Sequence, residues 1–178
     1  QTLTLSSGTQ TFAGTISGGG ALASRGAVQT LNGALSHGGG ISLTTGRLTL
    51  GGNNTYTGQT TVSAGAGVIV TANNALGATG VGNETVILGP GGANSGAIGL
   101  SGGITYGAGE KVIGAGLSNT AANGAFASVQ RGIVQSISGD NTFAGNVEIS
   151  SAGITRFGTQ DGADLTLTGS ITRGAGVT

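Results

Sequence analysis

One unit recurs along this chain and limits what it can fold into: a short alternating strand that runs into glycine and asparagine, then a Thr-aromatic-x-Gly step. The clearest copy is residues 46–70, GRLTLGGNNTYTGQTTVSAGAGVIV. Leu48-Thr49-Leu50 alternates as a half-buried strand does. A second strand follows at 60–63, then a glycine turn, then Val68-Ile69-Val70. Thr11-Phe12-Ala13-Gly14, Thr55-Tyr56-Thr57-Gly58 and Thr142-Phe143-Ala144-Gly145 share the step, and short apolar runs precede each copy: Leu3 and Leu5, Leu48 and Leu50, Ile133 and Ile137. Tyr56 follows Phe12 by roughly 44 residues and Phe143 follows Tyr56 by roughly twice that, a spacing typical of repeat architectures. Gly14-Thr15-Ile16-Ser17 returns as Gly169-Ser170-Ile171-Thr172, an offset of about 155 residues, close to seven units of roughly 22. The motif stretches lie near 9–20, 46–77 and 138–150, with an irregular 78–135 between the last two.

A unit this short cannot bury its own apolar face and must stack on its neighbours. Roughly 22 residues hold three short strands and three turns, which predicts one coil of a parallel β-helix, an all-β solenoid. About eight coils, roughly 4.8 Å apart, would make a rod on the order of 40 Å long. Leucine, isoleucine and valine are expected inside, with threonine and serine alternating outward. The 40 glycines in 178 residues lack the three-residue period of collagen. The apolar alternation argues against a glycine-rich linker. Glycine at the corners permits positive φ. No window offers a capped amphipathic helix. A β-sandwich is the structural alternative, but it needs antiparallel hairpins that a fixed long repeat does not require. The segments around Pro90 and around Phe126 and Val129 read as a loop and as a lead-in to the third copy.

Charge excludes some functions. Six basic and six acidic residues leave no basic patch for phosphates, so no nucleic-acid partner is expected. No apolar run reaches the length of a membrane span. The chain starts at Gln1 with no visible signal peptide, and reads as a segment of a longer protein. The absence of cysteine excludes a disulfide scaffold.

Residues 46–77 resemble the autotransporter-associated β-strand repeat, also called the passenger-associated transport repeat. The matching positions are Gly46, Leu48-Thr49-Leu50, Asn54-Thr55-Tyr56, Gly58, Thr60, Val62, Gly65 and Ala75-Leu76-Gly77. Ile16-Ser17-Gly18-Gly19-Gly20-Ala21-Leu22 is similar to the family's lead-in, and Ser138-Gly139-Asp140-Asn141-Thr142-Phe143 to a companion segment. Residues 23–35 fit poorly, and the Thr-aromatic-x-Gly step expected near residue 100 is missing. The resemblance implies a right-handed β-helix over 1–178, one segment of the passenger of a secreted or surface-displayed bacterial protein, with flanking repeats of the same chain as neighbours. It implies a structural stalk or fibre that supports export and display. An adhesin face for glycan or host surface is the alternative, and a carbohydrate-active β-helix enzyme the third reading.

The residues suggest no catalytic, cofactor or metal site. Asp161 and Asp164 lack the six to eight oxygens calcium takes and read as a turn. Asp140 reads the same way. Glycosidases need two facing carboxylates, and the six acids are scattered. His37, the lone histidine, is expected in a solvated loop without metal-ligand spacing. No serine sits in a G-x-S-x-G elbow, and Gly18-Gly19-Gly20 and Gly38-Gly39-Gly40 are not phosphate loops. Leu48, Leu50, Asn54, Thr55, Tyr56, Gly58, Val62, Phe12, Gly14, Asn141, Phe143 and Gly145 are the expected structural positions of the repeat. Phe12, Tyr56 and Phe143 would either stack on sugars or pack at one corner. Asn53, Asn54, Asn73, Asn74 and Asn141 are expected to form amide ladders between coils. Tyr106, Glu110 and Lys111 lie where the repeat is least regular and mark the first candidate for a partner-binding loop. Open strand edges at the two ends suggest end-to-end association.

Overall fold

The computed structural model describes residues 1–89, 94–117 and 132–178, with the side chain of Ala27 excepted. The segments around Pro90 and around Phe126 and Val129 lie outside the described residues. The protein is an all-β parallel solenoid of about seven turns, one fewer than the coil arithmetic gives. Every pairing between described strands is parallel, so the β-sandwich alternative, which needs antiparallel hairpins, does not describe it.

The first coil contributes β1 (Thr2–Ser6), β2 (Thr9–Phe12) and β3 (Ile16–Gly18). The second contributes β4 (Ala21–Leu31) and β5 (Leu35–His37), and the third β6 (Ile41–Leu50). Then come β7 (Thr60–Val62), β8 (Gly67–Val70), β9 (Thr85–Ile87), β10 (Ala97–Ser101) and β11 (Thr105–Tyr106). The last turns hold β12 (Lys111–Gly114), β13 (Val134–Phe143), β14 (Asn146–Ile149), β15 (Phe157–Thr159), β16 (Ala163–Leu167) and β17 (Ile171–Arg173). β4 and β6 each run across two faces, and β6 bends at Gly46, whose φ of 73° is left-handed and open to glycine.

The register gives the true period. Leu3 pairs with Leu22, Leu22 with Ile41 and Ile41 with Thr60, so the first turns are nineteen residues each. Thr60 pairs with Thr85, a step of 25, and Thr105 with Thr142, a step of 37. The regular unit is thus shorter than 22 residues, and the steps in the middle of the chain are longer. Residues 23–35, the poorest match to the repeat, form a regular coil. There Gln29 takes an inward position beside Leu48 and donates from Nε2 to the Gly8 carbonyl at 3.0 Å.

Columns of inward side chains make the core. One runs Leu3, Leu22, Ile41, Thr60, Thr85, Val112, Val147, Ile171, and another runs Phe12, Leu31, Leu50, Val70, Leu100. Their middle members are fully buried, whereas Leu3, Phe12 and Ile171 are about half exposed, having a coil on one side only. Between coils the backbones approach closely. A Cβ on Gly33 would lie 1.9 Å from the Gly14 carbonyl oxygen, and one on Gly52 2.2 Å from that of Gly33. This corner therefore needs glycine for space, not for φ.

The strand pairings correct two assignments of the motif. Phe12 shares a column with Leu31 and Leu50, not with Tyr56, so the interval between the two aromatics is not a period. Ile16 pairs with Leu35 while Ile171 pairs with Val147, so the two Gly-Thr/Ser-Ile-Ser/Thr runs occupy different columns.

Candidate functional site

The corner formed by the 46–77 motif is built from Asn54 and Tyr56. Asn54 is buried and spans three coils: its Oδ1 accepts from the Leu35 N–H at 2.9 Å, and its Nδ2 donates to the Ala75 carbonyl at 2.6 Å. The side chain thus supplies the partners that the Leu35 N–H and the Ala75 carbonyl need where the strands turn. Tyr56 is fully buried behind it, stacked on His37 with ring centroids 5.0 Å apart and planes 7° from parallel. Gly77 lies against the Tyr56 ring: a Cβ there would meet the Tyr56 carbonyl at 2.6 Å and the ring at 3.0 Å, and φ is +80°. The Ala75-Leu76-Gly77 stretch therefore packs against the tyrosine while Ala75 and Leu76 fill the core. Gly58, with φ +89°, has the backbone of Gly40 within 2.7 Å of any Cβ.

His37 is corrected by this arrangement. It is 4% exposed, not solvated, and neither ring nitrogen has a hydrogen-bond partner. It also lines an open cavity of about 360 Å³ beside Leu3, Ile16 and Leu22 at the first coil. The amide ladder is corrected too. Asn54 and Asn141 bond to main chain rather than to other asparagines, while Asn53, Asn73 and Asn74 are exposed.

The corner recurs at Asn141 and Phe143. Asn141 Oδ1 accepts from the Ile104 N–H at 2.9 Å, as Asn54 accepts from Leu35. Phe143 is buried and stacks on Tyr106 at 6.1 Å, and Thr105 and Tyr106 pair in register with Thr142 and Phe143. The step missing near residue 100 is therefore present as Thr105-Tyr106, its glycine displaced to Gly107. The Thr-aromatic pair was the available signal. Gly145 follows Phe143, and Gly14 follows Phe12, because the ring folds back over it: a Cβ would lie 2.8 and 2.9 Å from the respective Cζ atoms.

Tyr106 and Glu110, expected on a protruding loop, are instead 2% and 1% exposed. The Tyr106 hydroxyl accepts from the Leu76 N–H at 2.7 Å. Glu110 lies two residues before Val112 and so faces inward with it. There it meets an unexpected polar group. Thr60 and Thr85 stand in the column that is otherwise leucine, isoleucine and valine; Thr60 bonds the Tyr56 hydroxyl, and the Thr85 hydroxyl donates to Glu110 Oε1 at 2.9 Å. Glu110 Oε2 is buried without a partner. Burial pushes the Glu110 carboxyl up to about 7 against the opposing hydrogen bonds from Thr85, and pushes both tyrosines far above the ordinary phenol range. Lys111 points outward and pairs with Glu148 at 2.8 Å, which raises the ammonium's pKa.

Stacking brings Asp140 and Asp164 onto one rung, both exposed on β13 and β16, while Asp161 lies in the turn before β16. Among the described residues no group of three or more His, Cys, Asp or Glu could hold a metal, and no helix is long and apolar enough to cross a membrane.

Residues 45–66 match the family model of the passenger-associated-transport-repeat. No curated protein and no solved structure matches the chain.

Proposed function

We infer that this chain is a structural stretch of an autotransporter-type passenger, a β-helical stalk or fibre segment that supports its own export and display. The observation behind this reading is the role of the matched residues. Within 45–66, Leu48, Leu50 and Val62 fill the core, Asn54 joins coils and Tyr56 packs between them. The motif builds the rod, and its chemistry faces inward. A glycan-binding face would need a row of exposed rings, whereas Tyr56, Tyr106 and Phe143 are buried and the half-exposed Phe12 ends a core column at the first coil. Export follows from the same construction. Each coil that emerges gains hydrogen bonds and burial on the one before it, which opposes its return. The neutral chain without cysteine also carries neither large net charge nor disulfides to impede passage. The reading places the segment outside the cell or on its surface, with flanking repeats of the same passenger against its ends.

The test is display. The segment, fused between an epitope and an outer-membrane barrel, should bring the epitope to the cell surface. Tyr56→Ala and Asn54→Ala should lower surface epitope in step with their loss of stability while barrel insertion stays constant. Undiminished display by a variant that no longer folds would overturn export support. Specific capture of glycans or host cells by the purified segment would overturn a purely structural role.

A further inference from the structure

The column that holds Thr60 and Thr85 is apolar above and below them, and Glu110 closes on this polar stretch from the next coil. The carboxyl is enclosed: one oxygen accepts from Thr85, the other has no partner, and the residue is 1% exposed. Its own carbonyl accepts from the Asn146 N–H at 2.9 Å, so the residue ties three successive coils together. A carboxyl in this setting is stable as the neutral acid and costly as the anion.

We propose that Glu110 is a proton-dependent latch inside the solenoid: neutral, it closes β9, β12 and β14 on one another, and ionised, it loosens them. The groups around it support this. From β9, Thr85 favours the anion through its hydroxyl and its backbone, but loss of water outweighs both. Glu84, the residue before that strand, repels a second negative charge. The phenols of Tyr56 and Tyr106 feel the carboxylate and are driven further from ionisation by it. Lys111 is turned outward to Glu148. On the following coil, Gly145 leaves no side chain between Phe143 and Glu110.

The sign follows from linkage. The folded pKa, about 7, lies above the ordinary 4.5, so the latch's contribution is complete below about pH 4.5 and is lost as pH rises through 7. Between pH 5 and 7 the unfolding constant of the chain should rise about tenfold per pH unit and then level off. Glu110→Gln, neutral at every pH, should remove this rise and leave the protein more stable than wild type at pH 8. His37, stacked on Tyr56, is present in both proteins, so the difference between their profiles isolates Glu110. A variant that keeps the wild-type slope would overturn the proposal. Should Glu110→Gln fail to fold, a carbon-detected titration of the Glu110 carboxyl in the wild-type chain decides. A midpoint near 7 supports the latch, and one near 4.5 overturns it.

Discussion

Asn54 carries more of the corner than its size suggests. Truncation at Asn54→Ala would leave the Leu35 N–H and the Ala75 carbonyl buried without partners. The expected cost is about 2–4 kcal/mol in urea unfolding. The exposed neighbour change Asn53→Ala should stay within about 0.5 kcal/mol. Both asparagines look alike in Asn53-Asn54-Thr55-Tyr56, and the sequence has no direct sign of which one turns inward. Alternation from the inward Tyr56 does give it, since residues two apart share a face. The same rule finds Thr60 from Val62 and Glu110 from Val112. Residue type masks the pattern at Thr60 and Glu110, because threonine and glutamate are ordinarily outward residues. Tyr106 is hidden as a core aromatic for another reason: its glycine is out of place, so the four-letter step does not recur there.

At the scale of the element, glycines at corners divide into kinds that a sequence writes identically. Gly77 has a left-handed φ and the Tyr56 ring and carbonyl in contact range, whereas Gly80 has φ +96° and open space. Gly77→Ala should therefore cost about 2–4 kcal/mol and Gly80→Ala about 1 kcal/mol, read as shifts in unfolding midpoint at constant slope. The strands themselves were legible, because alternation of leucine with threonine is a direct image of a two-sided sheet. The period was not. The interval from aromatic to aromatic does not give it, because a column accepts phenylalanine where the next coil has leucine, as Phe12 over Leu31 shows. Interior volume, not letter identity, defines the repeat. The nineteen-residue step is written instead in Leu3, Leu22, Ile41 and Thr60.

The whole molecule is a stack whose parts touch only their neighbours. About seven turns at roughly 4.8 Å predict a rod about 35 Å long. Small-angle scattering that shows this length unchanged on dilution supports an isolated segment, and rods that lengthen with concentration indicate end-to-end association through the half-exposed Leu3, Phe12 and Ile171 faces. The even spacing of the first turns has a further consequence: the chain can be edited by counting. Removing residues 29–47 joins Val28 to Leu48 in phase, because Val28 already lies over Arg47. The shortened protein should fold, one rung lower, with a single cooperative unfolding transition. Removing one residue fewer, 29–46, puts Leu48 out of phase and turns leucines to water along the strand, and that protein should lose the transition. Over these first turns rod length is a digital quantity, adjustable in whole nineteens.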